Sequence, residues 1–351
     1  MTKENKPAPV GVIGAGSFGT AVASLLSANT PVLLYSRQAE LVDQVNREGR
    51  HPVYGTVFAD RVSATGDLGE LAARCGLIFP IVSSDGFRSV MQAISPHLRP
   101  DHILIHGTKG FDLGGLGEED IREGRLSRRD VRTMSQVILE ETVVVRVGCL
   151  SGPNLAHEIL DGQPTATVIG SKFDEVISQG KKMLSSRHFQ VFGTYEILGA
   201  ELAGALKNII AIGSGMLAGM GLGKNIQSLL LTRGLMEMIN FGKAFGTSPR
   251  PFVGTAGIGD LVCTATSMGS RNFTFGYRLG QGERKADILS SLPETAEGVR
   301  TLAIAKHLAD QLKLHVPITQ MLYRSVHEGY DLQQAIDYLM RYPYFVDVDF
   351  I

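Results

Sequence analysis

The stretch VGVIGAGSFGTAVASLLSA, residues 10–28, decides the fold. Its opening Val10-Gly11-Val12-Ile13 is continuously apolar, as suits a strand of a parallel sheet buried on both faces. The run passes directly into Gly14-Ala15-Gly16-Ser17-Phe18-Gly19, which fits G-x-G-x-x-G, and then into the amphipathic TAVASLLSA. Placement at a strand-to-helix junction matters more than the glycines alone, because glycine turns are common. Here Gly14 allows a tight turn, Gly16 lets a pyrophosphate approach the backbone, and Gly19 permits close helix–strand packing. The helix start points its N–H groups at the phosphates. This reads as a dinucleotide site.

Outward from that unit, similar apolar runs recur at residues 31–37, 77–84, 102–108, 143–149, 165–170 and 189–194. Helical patterns separate several of them, so the first part of the chain reads as α/β, a doubly wound and mainly parallel sheet. Beyond residue 194 the pattern turns helical, through 196–218, 225–246, 270–281, 297–313, 317–329 and 331–341. The expected division is therefore 1–194 for the nucleotide domain and 195–351 for an all-helical domain. Residues 112–130, DLGGLGEEDIREGRLSRRD, are polar and glycine-rich and read as a surface excursion.

Composition narrows the class. The 351 residues are 44% hydrophobic and 20% charged with a formal net charge of −1, which leaves no basic field for nucleic acid. The opening MTKENKPAPV lacks the apolar core of a signal peptide, and no uncharged run approaches a membrane span. Cys75, Cys149 and Cys263 have no metal-ligand spacing and suit a reducing compartment, so no metal is expected. A cytoplasmic protein is the expectation.

The second apolar run ends in Tyr35-Ser36-Arg37, about 20 residues past the glycine turn, where an NAD-selective site carries an acid for the ribose 2′-hydroxyl. Ser36 and Arg37 suit a 2′-phosphate better; a solvated arginine after a strand is the alternative.

The helical half opens on AELAGALKNIIAIGSGM, residues 200–216, whose only polar breaks of note are Glu201, Lys207 and Asn208. A lone lysine there can lay its stem on apolar neighbours and send its ammonium to water. On a helix, however, Lys207 shares its face with Ala200, Ala203, Gly204, Ile210, Ala211 and Ser214, all but one of them small, so its ammonium is expected over a shallow surface with room for a ligand. Three further stretches accompany it. HGTKGFD (106–112) places Lys109 at the carboxyl edge of the sheet. TAGIGDLVCTATSMGSRN (255–272) sets Asp260 in a small-residue turn and Ser270, Arg271 and Asn272 at a helix start suited to phosphate. ETAEGVR (294–300) offers Glu297 before another helix. Singly, each has an ordinary account as a surface lysine, a turn aspartate, a helix cap or a solvated glutamate.

Taken together and in order, GAGSFGTA, TKGF, SGPNLAHE, ELAGALKNIIAI, GLGKNIQSLLLTRGLMEM, GIGDLVCTATSMGSRN and AEGVRT resemble NAD(P)-dependent glycerol-3-phosphate dehydrogenase of the bacterial type, from about residue 10 to 343. The resemblance implies a Rossmann domain followed by an all-α domain of the 6-phosphogluconate dehydrogenase C-terminal-like type, as a homodimer. It implies NAD(H) or NADP(H) as cofactor, and interconversion of sn-glycerol 3-phosphate and dihydroxyacetone phosphate for glycerophospholipid synthesis. By the same resemblance Lys207 is the proton-transfer lysine, and Lys109 contacts substrate and cofactor. Gly152, Asn154, Asp260, Ser270, Arg271 and Asn272 match substrate positions. Ser17, Phe18, Arg37, Ala156 and Glu297 match cofactor positions, with Arg271 near the cofactor too. The chain departs from the pattern at Phe18, where Trp or Tyr is common, at Asn154, usually Ser or Thr, at Lys224, often Asp, and through residues 50–67.

These residues can support ketone reduction. Protonated Lys207 polarises the oxygen and donates a proton; burial and Lys109 lower its pKa, while Asp260 opposes that shift and holds it. Two rivals remain open: another two-domain dehydrogenase of the β-hydroxyacid or 6-phosphogluconate kind, which would need different substrate side chains, and a non-enzymatic dinucleotide sensor, which leaves the lysines unused.

Overall fold

A computed structural model describes residues 8–58, 60–292 and 296–343. Residues 1–7 of the opening segment, and Glu294 and Thr295 of ETAEGVR, lie outside them. The chain packs as two units, residues 1–108 with 134–197, and residues 109–133 with 198–351.

The first unit is built on one eight-stranded sheet. Its strands are β1 (Val10–Ile13), β2 (Val32–Tyr35), β3 (Val62–Thr65), β4 (Leu77–Pro80), β5 (Ile103–His106), β6 (Arg146–Ser151), β7 (Thr165–Ser171) and β8 (Phe189–Thr194). They lie in the order β3-β2-β1-β4-β5-β6-β7-β8. Every pairing from β3 through β6 is parallel, β6 and β7 run antiparallel, and β7 and β8 are parallel again. The doubly wound, mainly parallel expectation is met. Strands β1, β4 and β5 are buried along their whole length, which is why their sequences do not alternate. β3 was not expected: Val-Ser-Ala-Thr has no apolar run, and its pairing with β2 alone makes it a strand. The winding reverses between β1 and β4, where open α/β sheets bind ligands beyond the strands' carboxyl ends.

The second unit is helical. Its longest helices are Ile197–Gly219, Lys224–Ala244 and Glu297–Leu312, joined by Arg271–Gly280, Pro317–His327 and Leu332–Met340. Ile197–Gly219 is the one described helix long and apolar enough to cross a membrane by length and composition, and 89% of its most apolar window is buried within the protein. The helix matches the segment expected at 196–218, and Glu201 and Lys207 keep it from being an uncharged run. Its all-round apolarity is that of a core helix; Leu202, Ile209, Ile212, Phe275 and Leu302 pack in the same core.

Residues 109–133 correct the reading of a surface excursion and of one cut near residue 194. Phe111, Leu113, Ile121, Leu126 and Val131 are at most 4% exposed and belong to the helical core. Arg300 donates to the Phe111 carbonyl at 2.8 Å and Gln311 to that of Leu126. Five apolar side chains among charges and glycines suffice to bury one side of an irregular segment while Gly114 and Gly115, both at positive φ, turn it outside.

Candidate active site

The glycine turn forms as its residue types require. Gly14 has φ +110°, and a Cβ there would lie 2.1 Å from the Ile81 carbonyl oxygen. A Cβ on Gly19 would lie 1.9 Å from the Gly14 oxygen, so helix Ser17–Ser27 starts hard against the turn. Gly16, at φ −72°, caps that helix and is exposed. The turn leaves no room for side chains behind it and an open backbone in front, which fits a dinucleotide phosphate. Because β1, β2, β5 and β6 are parallel, Gly14, Arg37 and Gly152 follow strands that end on one edge of this unit. Arg37 is exposed, and beside it the Ser36 hydroxyl accepts from the Gln38 N–H at 3.2 Å. Gly152 has φ +143°, Asn154 donates to Thr167 Oγ1 at 3.0 Å, and Ala156 begins a short helix. Phe18 is half-buried, its ring 2.9 Å from where a Gly107 Cβ would stand.

In the helical unit Lys207, Lys109 and Asp260 meet directly. Asp260 is 1% exposed and Lys207 5%. Lys207 Nζ lies 3.1 Å from Asp260 Oδ1, and Lys109 Nζ lies 2.5 Å from Oδ2. Thr264 completes the arrangement: its hydroxyl accepts from Lys207 and donates to Asp260 Oδ1 at 3.2 Å. Two cations share one anion in a buried place, and their ionisation responds. Burial lowers the Lys207 pKa, Asp260 raises it, Lys109 lowers it, and the outcome is about 8. For Asp260, burial pushes the carboxyl up, but the Lys109 and Lys207 ammoniums prevail and hold it below its ordinary value.

Asp260 does not sit in a turn, as its glycine-rich surroundings suggested. Thr255–Gly259 forms a π-helical turn, and Asp260 is the first residue of the helix Asp260–Ala265. Gly257 is needed there, since a Cβ would stand 2.1 Å from the Phe252 carbonyl oxygen. That helix puts Thr264 one turn after Asp260 on the same face. Thr264 escaped the sequence reading for this reason alone: D-x-x-x-T is a signal only once the segment is helical.

The small face of the lysine helix is not an open surface. Ala200, Ala203, Ala211 and Ser214 are fully buried, and Ser214 donates to the Ala265 carbonyl at 2.6 Å. Small residues here admit neighbouring backbone. Cβ atoms at Gly215 and Gly276 would lie 2.1 Å from the Phe273 oxygen and 2.0 Å from the Ile212 oxygen. The helix Arg271–Gly280 is thereby locked against the lysine helix, which sets Arg271 relative to Lys207. Ser270 caps it, accepting from the Phe273 N–H at 3.3 Å, and Arg271 is its exposed first residue. Asn272 is buried, and its side-chain Oδ1 accepts from the Gly298 N–H at 2.9 Å. That bond ties the start of the Glu297 helix, with Glu297 half-buried at its first position, to the start of the Arg271 helix.

Residues 9–177 match the family model described as NAD-dependent glycerol-3-phosphate dehydrogenase N-terminus, and residues 196–337 match its C-terminus counterpart. Among curated relatives, the glycerol-3-phosphate dehydrogenase (NAD(P)+) of Ectopseudomonas mendocina is 38% identical over 346 residues, 98% of this chain and 97% of that one. The Pseudomonas putida protein of the same name is 40% identical over 347 residues, again 98% and 97%. The crystal structure of glycerol-3-phosphate dehydrogenase from Coxiella burnetii superposes with TM-score 0.85 at 31% identity, over 95% of this chain and 99% of that one.

Proposed function

Because the chain belongs to the NAD-dependent glycerol-3-phosphate dehydrogenase family, and is thereby an NAD(P)-linked oxidoreductase, we propose that Lys207, Lys109 and Asp260 carry its chemistry between sn-glycerol 3-phosphate and dihydroxyacetone phosphate. The observation that carries this reading is the pair of lysines on one buried aspartate. Burying charges costs several kcal/mol per ion, an outlay that a nucleotide sensor has no use for. A proton-transfer site has one.

The nicotinamide cofactor, when bound, supplies or takes the hydride. Lys207 donates a proton to the ketone oxygen in one direction and takes it from the hydroxyl in the other. With its pKa near 8, both forms are accessible at physiological pH. Asp260 and Thr264 aim the ammonium, and Lys109 adds a second positive charge for the oxygen that becomes negative in the transition state. Arg271, at a helix start, clamps the substrate phosphate, with Ser270, Asn272, Gly152 and Asn154 around the substrate. Gly16 lets the cofactor pyrophosphate approach, on the turn that Gly14 and Gly19 allow, with Ser17 and Phe18 beside it; Arg37, Lys109, Ala156, Arg271 and Glu297 complete the cofactor set. The protein works as a cytoplasmic homodimer that provides glycerol 3-phosphate for glycerophospholipids.

The test is the efficiency ratio between dihydroxyacetone phosphate and dihydroxyacetone, corrected for cofactor affinity. A charge-assisted bond is worth about 1.5–3 kcal/mol, so Arg271→Ala should narrow the ratio about 10- to 100-fold. An unchanged ratio removes Arg271 from the phosphate. For cofactor choice, Arg37→Ala should raise KM for NADPH and leave that for NADH nearly unchanged; equal losses would mean that Arg37 does not read the 2′-phosphate.

A further inference from the structure

His51 lies in the segment 50–67 that neither the motif nor the mechanism uses, yet it is 1% exposed and bonded at both ring nitrogens. Its Nδ1 faces two backbone N–H groups, those of Val53 at 3.2 Å and Tyr54 at 3.3 Å. Both are donors, so Nδ1 accepts and the ring proton sits on Nε2. Nε2 therefore donates to the carbonyl oxygen of Ala15, 2.9 Å away, inside the glycine turn. Burial lowers the His51 pKa against the opposing pull of Ala15, so the ring is neutral at physiological pH. The Tyr54 ring covers it at 4.7 Å.

The carbonyl of Ala15 and the N–H of Gly16 belong to one planar trans peptide and point in opposite directions. Whatever holds that carbonyl also aims that N–H. We propose that His51 is a positioning residue for cofactor binding: through the Ala15 carbonyl it fixes the direction of the Gly16 N–H toward the cofactor pyrophosphate. This rests on the glycine turn being the pyrophosphate site, as proposed above. Without His51 the peptide can rotate, and the cofactor must then immobilise it on binding, a cost that falls on affinity.

Two amides divide the roles of the ring. In His51→Asn the side-chain oxygen can accept from the N–H groups two and three residues on, as in an Asx turn, but cannot reach Ala15. In His51→Gln the longer amide reaches Ala15 and gives up the local turn. Cofactor affinity is measured on the full-length protein by NADPH fluorescence titration, alongside KM and kcat. Gly16→Ala serves as the reference, since φ −72° suits alanine and the position is exposed. We expect His51→Asn to weaken NADPH binding about five- to tenfold, the worth of one hydrogen bond, with the loss carried by KM and not kcat. His51→Gln should stay within about threefold of wild type. If Gly16→Ala weakens NADPH binding and His51→Asn does not, the positioning role is wrong. Loss in His51→Gln with none in His51→Asn assigns the ring to its own loop and overturns the proposal equally. If Gly16→Ala binds NADPH as wild type does, the pyrophosphate reading falls and takes the proposal with it.

Discussion

Lys207 is held between opposing influences, burial and Lys109 against Asp260, and its proton is consequently tunable. On the proton-transfer role proposed for Lys207, ketone reduction uses the protonated form, so kcat/KM for dihydroxyacetone phosphate should fall as pH rises through about 8. Oxidation of glycerol 3-phosphate needs the neutral form and should rise through the same region. Lys109→Gln removes the like charge and should move both limbs to higher pH. The measurement is the pH profile in each direction; a reduction limb that stays in place in Lys109→Gln would show the two lysines to be uncoupled. Lys207 stood out in the sequence because a charge amid small and apolar residues is costly without a purpose, whereas Lys109 and Asp260 stood out only through the order of motifs that the family resemblance rests on. Thr264 and His51 did not, since each acts through a neighbour distant in the chain or hidden by a misread turn.

Helix starts in this protein are capped from elsewhere as well as locally. Glu237, on the helix Lys224–Ala244, accepts from the N–H groups of Ile318 at 2.6 Å and Thr319 at 2.9 Å, and from the Thr319 hydroxyl at 2.7 Å. Both N–H groups belong to the first turn of Pro317–His327, where a helix has no acceptors of its own. Burial pushes the Glu237 carboxyl up to about 7, although all three bonds pull it down. The folded protein thus holds a proton on Glu237 that the unfolded chain releases, from its ordinary 4.5 up to about 7. The stability this group contributes is complete below that window and is lost as pH rises through it. Urea unfolding of wild type and Glu237→Gln should show the wild-type advantage shrinking across the same window. A gap independent of pH would mean that the carboxyl does not titrate there. Nothing near Glu237 in sequence announces this cap, because its partners lie 81 and 82 residues away.

The division of the whole chain follows packing and not the order of elements. Residues 109–133 leave the sheet after β5, supply Leu126 at 0% exposure to the helical core, and return before β6. Leu126→Ala should therefore cost about 2–5 kcal/mol, as other buried leucines do, and the cost should fall on the helical unit. Denaturant unfolding followed by a probe in each unit checks this. A loss below about 1 kcal/mol would place the segment outside that core.

The strand–turn–helix at residues 10–28, the parallel winding, the helical second half and the charged residues that meet at the candidate site were all readable in the chain itself. Each rests on local periodicity, or on a residue type whose cost demands a reason. Tertiary structure alone decided the rest. β3 is a strand because β2 lies beside it. Small residues on the lysine helix serve backbone contact because another helix fills the space over them. Thr264 reaches Lys207, 57 residues away, only once Asp260–Ala265 is helical. In every such case the deciding partner is distant in sequence, and an isolated segment carries no record of what will cover it.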